Sequence, residues 1–260
     1  MRVRAPRRAL RGAAGVAVAL VLLEIVTRAG LVSPTSLPPA STVLATTAVL
    51  LVDPAFLVHV AGTLASWSLG ILIAIAIAVP LGIVLGSSLR SYLAGVTAVE
   101  LLRPIPSVAL IPLAILLLGR GLDMRVALVA YASTWPILLN TIYGIRNVDP
   151  VARDTARAFG LSAAATAWRV SLPSAAPFIY TGIRISAGIA IIVAVSCELI
   201  AGGGPGIGTF MLANAQAGVP RELAYAAIVV SGLLGLALNA GLVAAERRLF
   251  RWDVRIRGEP

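Results

Sequence analysis

The chain has 260 residues, is 59% hydrophobic and only 12% charged, and carries a formal net charge of +10. Soluble domains run about 45–50% apolar and about 25% charged, so a water-soluble fold is excluded. With one cysteine (Cys197) and one histidine (His59), so are a disulfide framework and a Cys/His metal cluster within one chain.

All 21 basic residues are arginines, so no lysine is present for a phosphate-binding loop or a Schiff base. In so apolar a chain, arginine excess reads as a topology signal and not as a nucleic-acid footprint. Apolar runs near or above about 18 residues mark membrane-spanning helices. The expected fold is all-α, a polytopic membrane protein with six transmembrane helices.

In chain order, residues 1–12 form a basic tail with Arg2, Arg4, Arg7, Arg8 and Arg11. The first span covers 13–32. A secretory signal would share its basic start and apolar centre. Against cleavage, "VTRAG" is a poor small-residue site, and Glu24 and Arg28 stand at i,i+4, a helical pair. The helix is expected to be retained. A moderately apolar connection, opened by "SPTSLPPAST" (33–42), runs to residue 57. The second span covers 58–86. The third covers 93–118 and is interrupted by "RPIP" at 103–106. The fourth, fifth and sixth cover 126–145, 178–200 and 222–245, and a tail occupies 246–260. Pro80, Pro112 and Pro136 fall inside spans, where neighbouring helices can satisfy the freed carbonyls. No internal repeat is visible.

An inside N-terminus puts residues 1–12, 87–92, 146–177 and 246–260 in the cytoplasm, with fifteen arginines. Four (Arg28, Arg120, Arg125, Arg221) fall outside, and Arg103 and Arg184 lie within spans. Both termini are therefore expected in the cytoplasm, with the chain in a bacterial plasma (inner) membrane.

The longest cytoplasmic loop, 149–177, is the polar exception. Asp149-Pro150 is a helix start, with Asp as N-cap and Pro at the first helical position. Gly160 can end a first short helix, and Ser162 can cap a second. On a continuous wheel, Ala158, Leu161, Ala165, Trp168 and Leu172 form one apolar stripe. Periodicity alone leaves two readings: a loop resting on the bilayer with its arginines at lipid phosphates, or a helix pair docked on a partner.

The loop resembles the "EAA" loop of permease subunits in binding-protein-dependent ABC importers. That pattern is Glu-Ala-Ala, three residues, Gly, nine residues, Ile, one residue, Leu-Pro. Here Asp154-Thr155-Ala156, Gly160, Val170 and Leu172-Pro173 keep every spacing, with Asp, Thr and Val as departures. "LLRPIPSVALIPLAILLLG" (101–119), "WPILLNTIYGIRNVDP" (135–150), "LPSAAPFIYTGIRISAG" (172–188) and "GGGPGIGTFML" (202–212) resemble the nitrate/sulfonate/taurine branch. The resemblance covers the chain from about His59 to Asn239.

It implies a type I importer permease fold: a five-helix core plus an N-terminal helix. It also implies an ATPase-coupling role for Asp154, Thr155, Ala156, Gly160, Val170, Leu172 and Pro173. The implied partners are a second permease copy, two cytoplasmic ATPase subunits that bind ATP and Mg, an extracytoplasmic binding protein and the lipid bilayer. No cofactor is implied for this chain. Within the family, an organic nutrient such as a pyrimidine vitamin precursor is the alternative cargo. An ion-coupled secondary transporter would want repeated halves and paired intramembrane carboxylates, and an intramembrane enzyme a nucleophile and base or a metal set. Neither is visible.

Four residues are candidates for the translocation path: Arg103, Pro104, Arg184 and Glu198. Arginine at mid-membrane costs about 2.5–3.5 kcal/mol on insertion scales, which suits a water-filled path. Local readings compete. Arg103 stands three residues after Glu100, Arg184 can snorkel to the cytoplasmic interface, and Glu198 can snorkel outward. "GGGPGIG" (202–208) lacks the strand and GK[ST] of a phosphate loop, so a tight turn outside the fifth span is expected. His59 is expected to be an interfacial residue at a helix end.

Overall fold

The computed structural model describes residues 4–32, 36–217 and 221–250. The expected tail arginines Arg2, Arg251, Arg255 and Arg257 lie outside these residues. Among the described residues the chain is helical, without strands.

Helix α1 (Arg4–Arg28) leads to α2 (Ala40–Leu50), in a stretch where the sequence suggested only a connection. Pro39 gives α2 no side-chain cap. Glu24 of α1 supplies one instead: its carboxylate accepts from the Ser41 amide (3.0 Å) and hydroxyl (2.8 Å), and from Arg28 Nε at 2.6 Å. The expected i,i+4 pair is present and also holds the next helix. The buried side of α2 includes Val43, Thr47 and Leu50, and Leu50 joins an apolar cluster with Phe56, Ile207, Met211, Ala226 and Val230.

Helix α3 (Pro54–Ser87) starts four residues before the expected span, because Asp53 accepts from the Ala55 amide (3.0 Å) and Pro54 takes the first turn. The third expected span is two legs: α4 (Leu89–Leu102), then a 3₁₀ turn (Ser107–Leu110) running into α5 (Ile111–Leu118). The legs are bent by 74° across the RPIP segment. Helix α6 (Leu122–Arg146) is the fourth span, and α7 (Pro150–Ala158) opens the polar loop.

The fifth span departs most from expectation. It runs as one helical rod from α8 (Ala163–Thr166), through a π turn (Ala167–Ser171), into α9 (Leu172–Ala201). Pro173 lacks an N–H, and the wider π turn just before it accommodates its ring without ending the rod. A glycine turn leads to α10 (Ile207–Gln216), and α11 (Glu222–Leu249) is the last span. By length and composition four of the described helices can cross a membrane, five when the bent pair counts as one.

The core is the triple α3, α6 and α9. In a bilayer, helix association depends on close packing of small residues rather than on the hydrophobic effect. Gly70, Gly82 and Gly86 of α3 lie against Val129, Thr141 and Ile145 of α6, where a Cβ would collide. Gly182 of α9 likewise meets the Pro136 carbonyl of α6. Hydrogen bonds lock the triple: Trp67 Nε1 donates to Ala187 O (2.9 Å) and Ser186 Oγ to Ser133 O (2.8 Å).

Candidate functional site

The loop from Asp149 to Pro173 is built by local rules. Asp149 caps α7 by accepting from the Val151 amide (2.9 Å), and Ser162 caps α8 by accepting from the Ala165 amide (3.2 Å). Between them Gly160 takes φ +78°, the left-handed conformation that terminates helices. The Gly160 amide donates to Arg157 O (2.9 Å) and the Leu161 amide to Ala156 O (3.1 Å). The Arg153 guanidinium donates to the carbonyl of Ile145, anchoring α7 under the end of α6.

This turn breaks the continuous wheel of the sequence reading. Ala158 and Trp168 of the expected stripe are exposed, while the buried positions are Ala156, Thr166 and Ser171. Phe159 and Trp168 are 81% and 71% exposed. The loop thus presents large aromatic surface beside charged groups. Asp154 and Thr155 are exposed, and Asp154 faces Arg157 at 3.7 Å. Val170 and Leu172 are half-buried and Pro173 is exposed. The seven pattern residues therefore sit on one short segment, with Val170, Leu172 and Pro173 on the rod that forms the fifth span.

The four path candidates do not converge. Glu198 neither lines an opening nor reaches outward: it is fully buried and accepts from Arg125 Nη1 (3.2 Å), Thr63 Oγ1 (2.9 Å) and the Gly208 amide (3.0 Å). A buried carboxylate persists only when paired and hydrogen-bonded, and these three donors satisfy that condition. Arg184 is engaged with Glu246 of α11 at 2.7 Å, both side chains half-buried. It clamps two spans and does not stand free in a channel. Arg103 and Pro104 lie at the break between α4 and α5, exposed on this chain. The anticipated pair with Glu100 does not form: the ion pairs found among the described residues include neither group.

The sequence reading missed the partners of Glu198. Arg125 was assigned to the outer surface but is 2% exposed, donating also to Pro205 O (2.8 Å) and, from Nε, to Gly121 O (3.2 Å). The Gly206 amide donates to His59 Nδ1 (3.1 Å), so the histidine clasps the glycine turn. Gly206 and Gly208 leave no room for a Cβ beside Glu198, and Gly202, Gly203 and Gly204 have positive φ. The expected tight turn is present, wrapped around a buried ion pair. The available signal was one base and one acid at matching depths of two spans.

The family model described as "Binding-protein-dependent transport system inner membrane component" matches residues 70–251. The taurine transport system permease protein TauC of Escherichia coli (strain K12) is 32% identical over 91% of this chain and 87% of its own length. The nitrate import permease protein NrtB of Leptolyngbya laminosa is 30% identical over 72% of this chain and 67% of its own. The inward-facing MetNI methionine ABC transporter superposes at TM-score 0.65, covering 75% of this chain and 98% of that one at 15% identity, which shows the fold. The chain belongs to the binding-protein-dependent transport system inner membrane component family, as a multi-pass inner-membrane permease of ABC-importer type that transports rather than catalyses.

Proposed function

We propose that the chain forms the translocation path of an ATP-driven importer for a small solute with an oxyanion group, of the nitrate, sulfonate or taurine kind. Two copies enclose the path. Two cytoplasmic ATPase subunits bind ATP and Mg, an extracytoplasmic binding protein delivers the solute, and both termini lie in the cytoplasm.

The observation that carries this reading is the α7–α9 segment. A docking surface with Phe159 and Trp168 exposed continues as one helical rod from Ala163 to Ala201. An apolar helix face seated in a groove is a standard recognition mode, and movement of the ATPase would pass along the rod into the core triple. Asp154, Thr155 and Ala156 position the first helix, Gly160 lets the backbone approach the partner, and Val170, Leu172 and Pro173 link the loop to the span.

The test is reconstitution of the permease with its ATPase subunits and binding protein in proteoliposomes. A Cβ at Gly160 meets nothing within this chain, and the αL backbone cost for a side chain is about 1–2 kcal/mol. Gly160→Asp therefore leaves insertion and folding intact and abolishes ATP-driven uptake. Normal uptake by that variant, or uptake persisting with the ATPase inactivated, overturns the coupling reading. A binding protein that holds a pyrimidine-type vitamin precursor and no oxyanion in a thermal-shift screen overturns the substrate reading.

A further inference from the structure

The third span breaks near its midpoint, and the broken backbone faces outward from this chain. Every residue from Leu101 to Pro106 is exposed. Pro104 and Pro106 have no N–H to donate. At the end of α4, Val99 O accepts from the Arg103 amide (2.9 Å), and Leu102 O accepts from Tyr131 Oη (2.8 Å) and the Ile105 amide (3.2 Å). Among the described residues, no hydrogen bond reaches the carbonyls of Arg103, Pro104 or Ile105. Nor does the Arg103 guanidinium bond to any described residue, Glu100 one helical turn earlier included.

Lipid cannot cover such a surface. Unsatisfied backbone groups in hydrocarbon cost several kcal/mol each, so irregular backbone at membrane depth occurs only inside protein or along water. A guanidinium at that depth obeys the same restriction. A dry, apolar contact with a second copy would leave the same carbonyls and the same charge unpaired. Water satisfies both the carbonyls and the charge.

We propose that Arg103 to Pro106 line the aqueous path and that Arg103 is its anion-selecting residue. It reads the oxyanion of the solute through the planar fork of N–H donors that matches two oxygens at once. Pro104 and Pro106 hold the break open, and Tyr131 pins its start. This deepens the importer reading and rests on it.

The test needs neither transport nor knowledge of the solute. Cys197, the chain's only cysteine, is fully buried and silent to water-borne reagents. Ile105→Cys places a reporter thiol two residues from Arg103. The chain, assembled with its ATPase subunits in proteoliposomes, is treated with a sulfonate-bearing methanethiosulfonate and with its quaternary-ammonium counterpart.

The reporter is expected to react with both, with preference for the sulfonate. Adding Arg103→Gln lowers the sulfonate-to-ammonium rate ratio by about tenfold, the scale on which a charged cleft concentrates counter-ions. Arg103→Lys restores most of the ratio. No reaction with either reagent, or a ratio unchanged by Arg103→Gln, overturns the proposal. Labelling proceeds without ATP hydrolysis, so it fails or succeeds independently of Gly160→Asp, which tests coupling alone.

Discussion

Removing the Glu198 carboxylate removes a buried acceptor of three hydrogen bonds. Glu198 is fully buried, its partner Arg125 side chain is 3% exposed, and the carboxylate also takes the Thr63 hydroxyl and the Gly208 amide. In Glu198→Ala, Arg125 keeps its bonds to Gly121 O and Pro205 O. Its charge, however, remains buried without a counter-ion, and the Gly208 N–H loses its acceptor. Breaking a buried pair by deleting one partner costs about 3–5 kcal/mol. At about 2–4 °C per kcal/mol for a chain of this size, the unfolding midpoint falls by roughly 10 °C. Cys197 supplies the assay, because a fluorogenic thiol dye reacts only as the buried sulfhydryl becomes accessible. Far-UV circular dichroism separates global melting from local exposure beside residue 198. Glu198→Gln keeps an acceptor for Thr63 and Gly208 and is expected to lose less. Midpoints for Glu198→Ala within about 2 °C of the parent by both readouts would refute the hub argument.

The Arg184–Glu246 pair is half-buried and joins α9 to α11. Alanine at either position is expected to lower stability by about 1 kcal/mol, discounted for solvent screening. The double variant should lose no more than the worse single in the same melts, and strict additivity would deny the coupling. Glu24→Ala removes the acceptor from the first turn of α2. Hydrogen exchange at the Ser41 amide is expected to accelerate about fivefold, and an unchanged rate would mean that α2 is held by its packing alone.

Most of the spans, the caps and the polar loop were legible because each is signalled locally. Asp149 and Ser162 cap the helices they were expected to cap, and Gly160 takes the left-handed turn its position suggested. Where expectation failed, the determinant was not local. The stripe from Ala158 to Leu172 assumed an unbroken wheel that Gly160 interrupts. The fifth span was started at residue 178 because polar residues lowered its hydropathy, yet hydrogen bonding carries the helix back to Ala163. Arg103 was set against Glu100 on spacing alone; helical geometry continues through Arg103, yet no ion pair joins the two among the described residues.

The sequence alone determines that this chain is a bundle of membrane helices and which loop is polar. Hydropathy, arginine placement and capping are summed over neighbours in the chain, so no tertiary contact is needed to read them. Only the tertiary structure decides the fates of the charges within the spans. Glu198 meets Arg125 across 73 residues, and Arg184 meets Glu246 across 62. Arg103 stands at an exposed break. Whether two charged side chains meet depends on the depth and rotation of their helices. Those are set by where the glycines of α3 let α6 approach and where Gly182 admits Pro136.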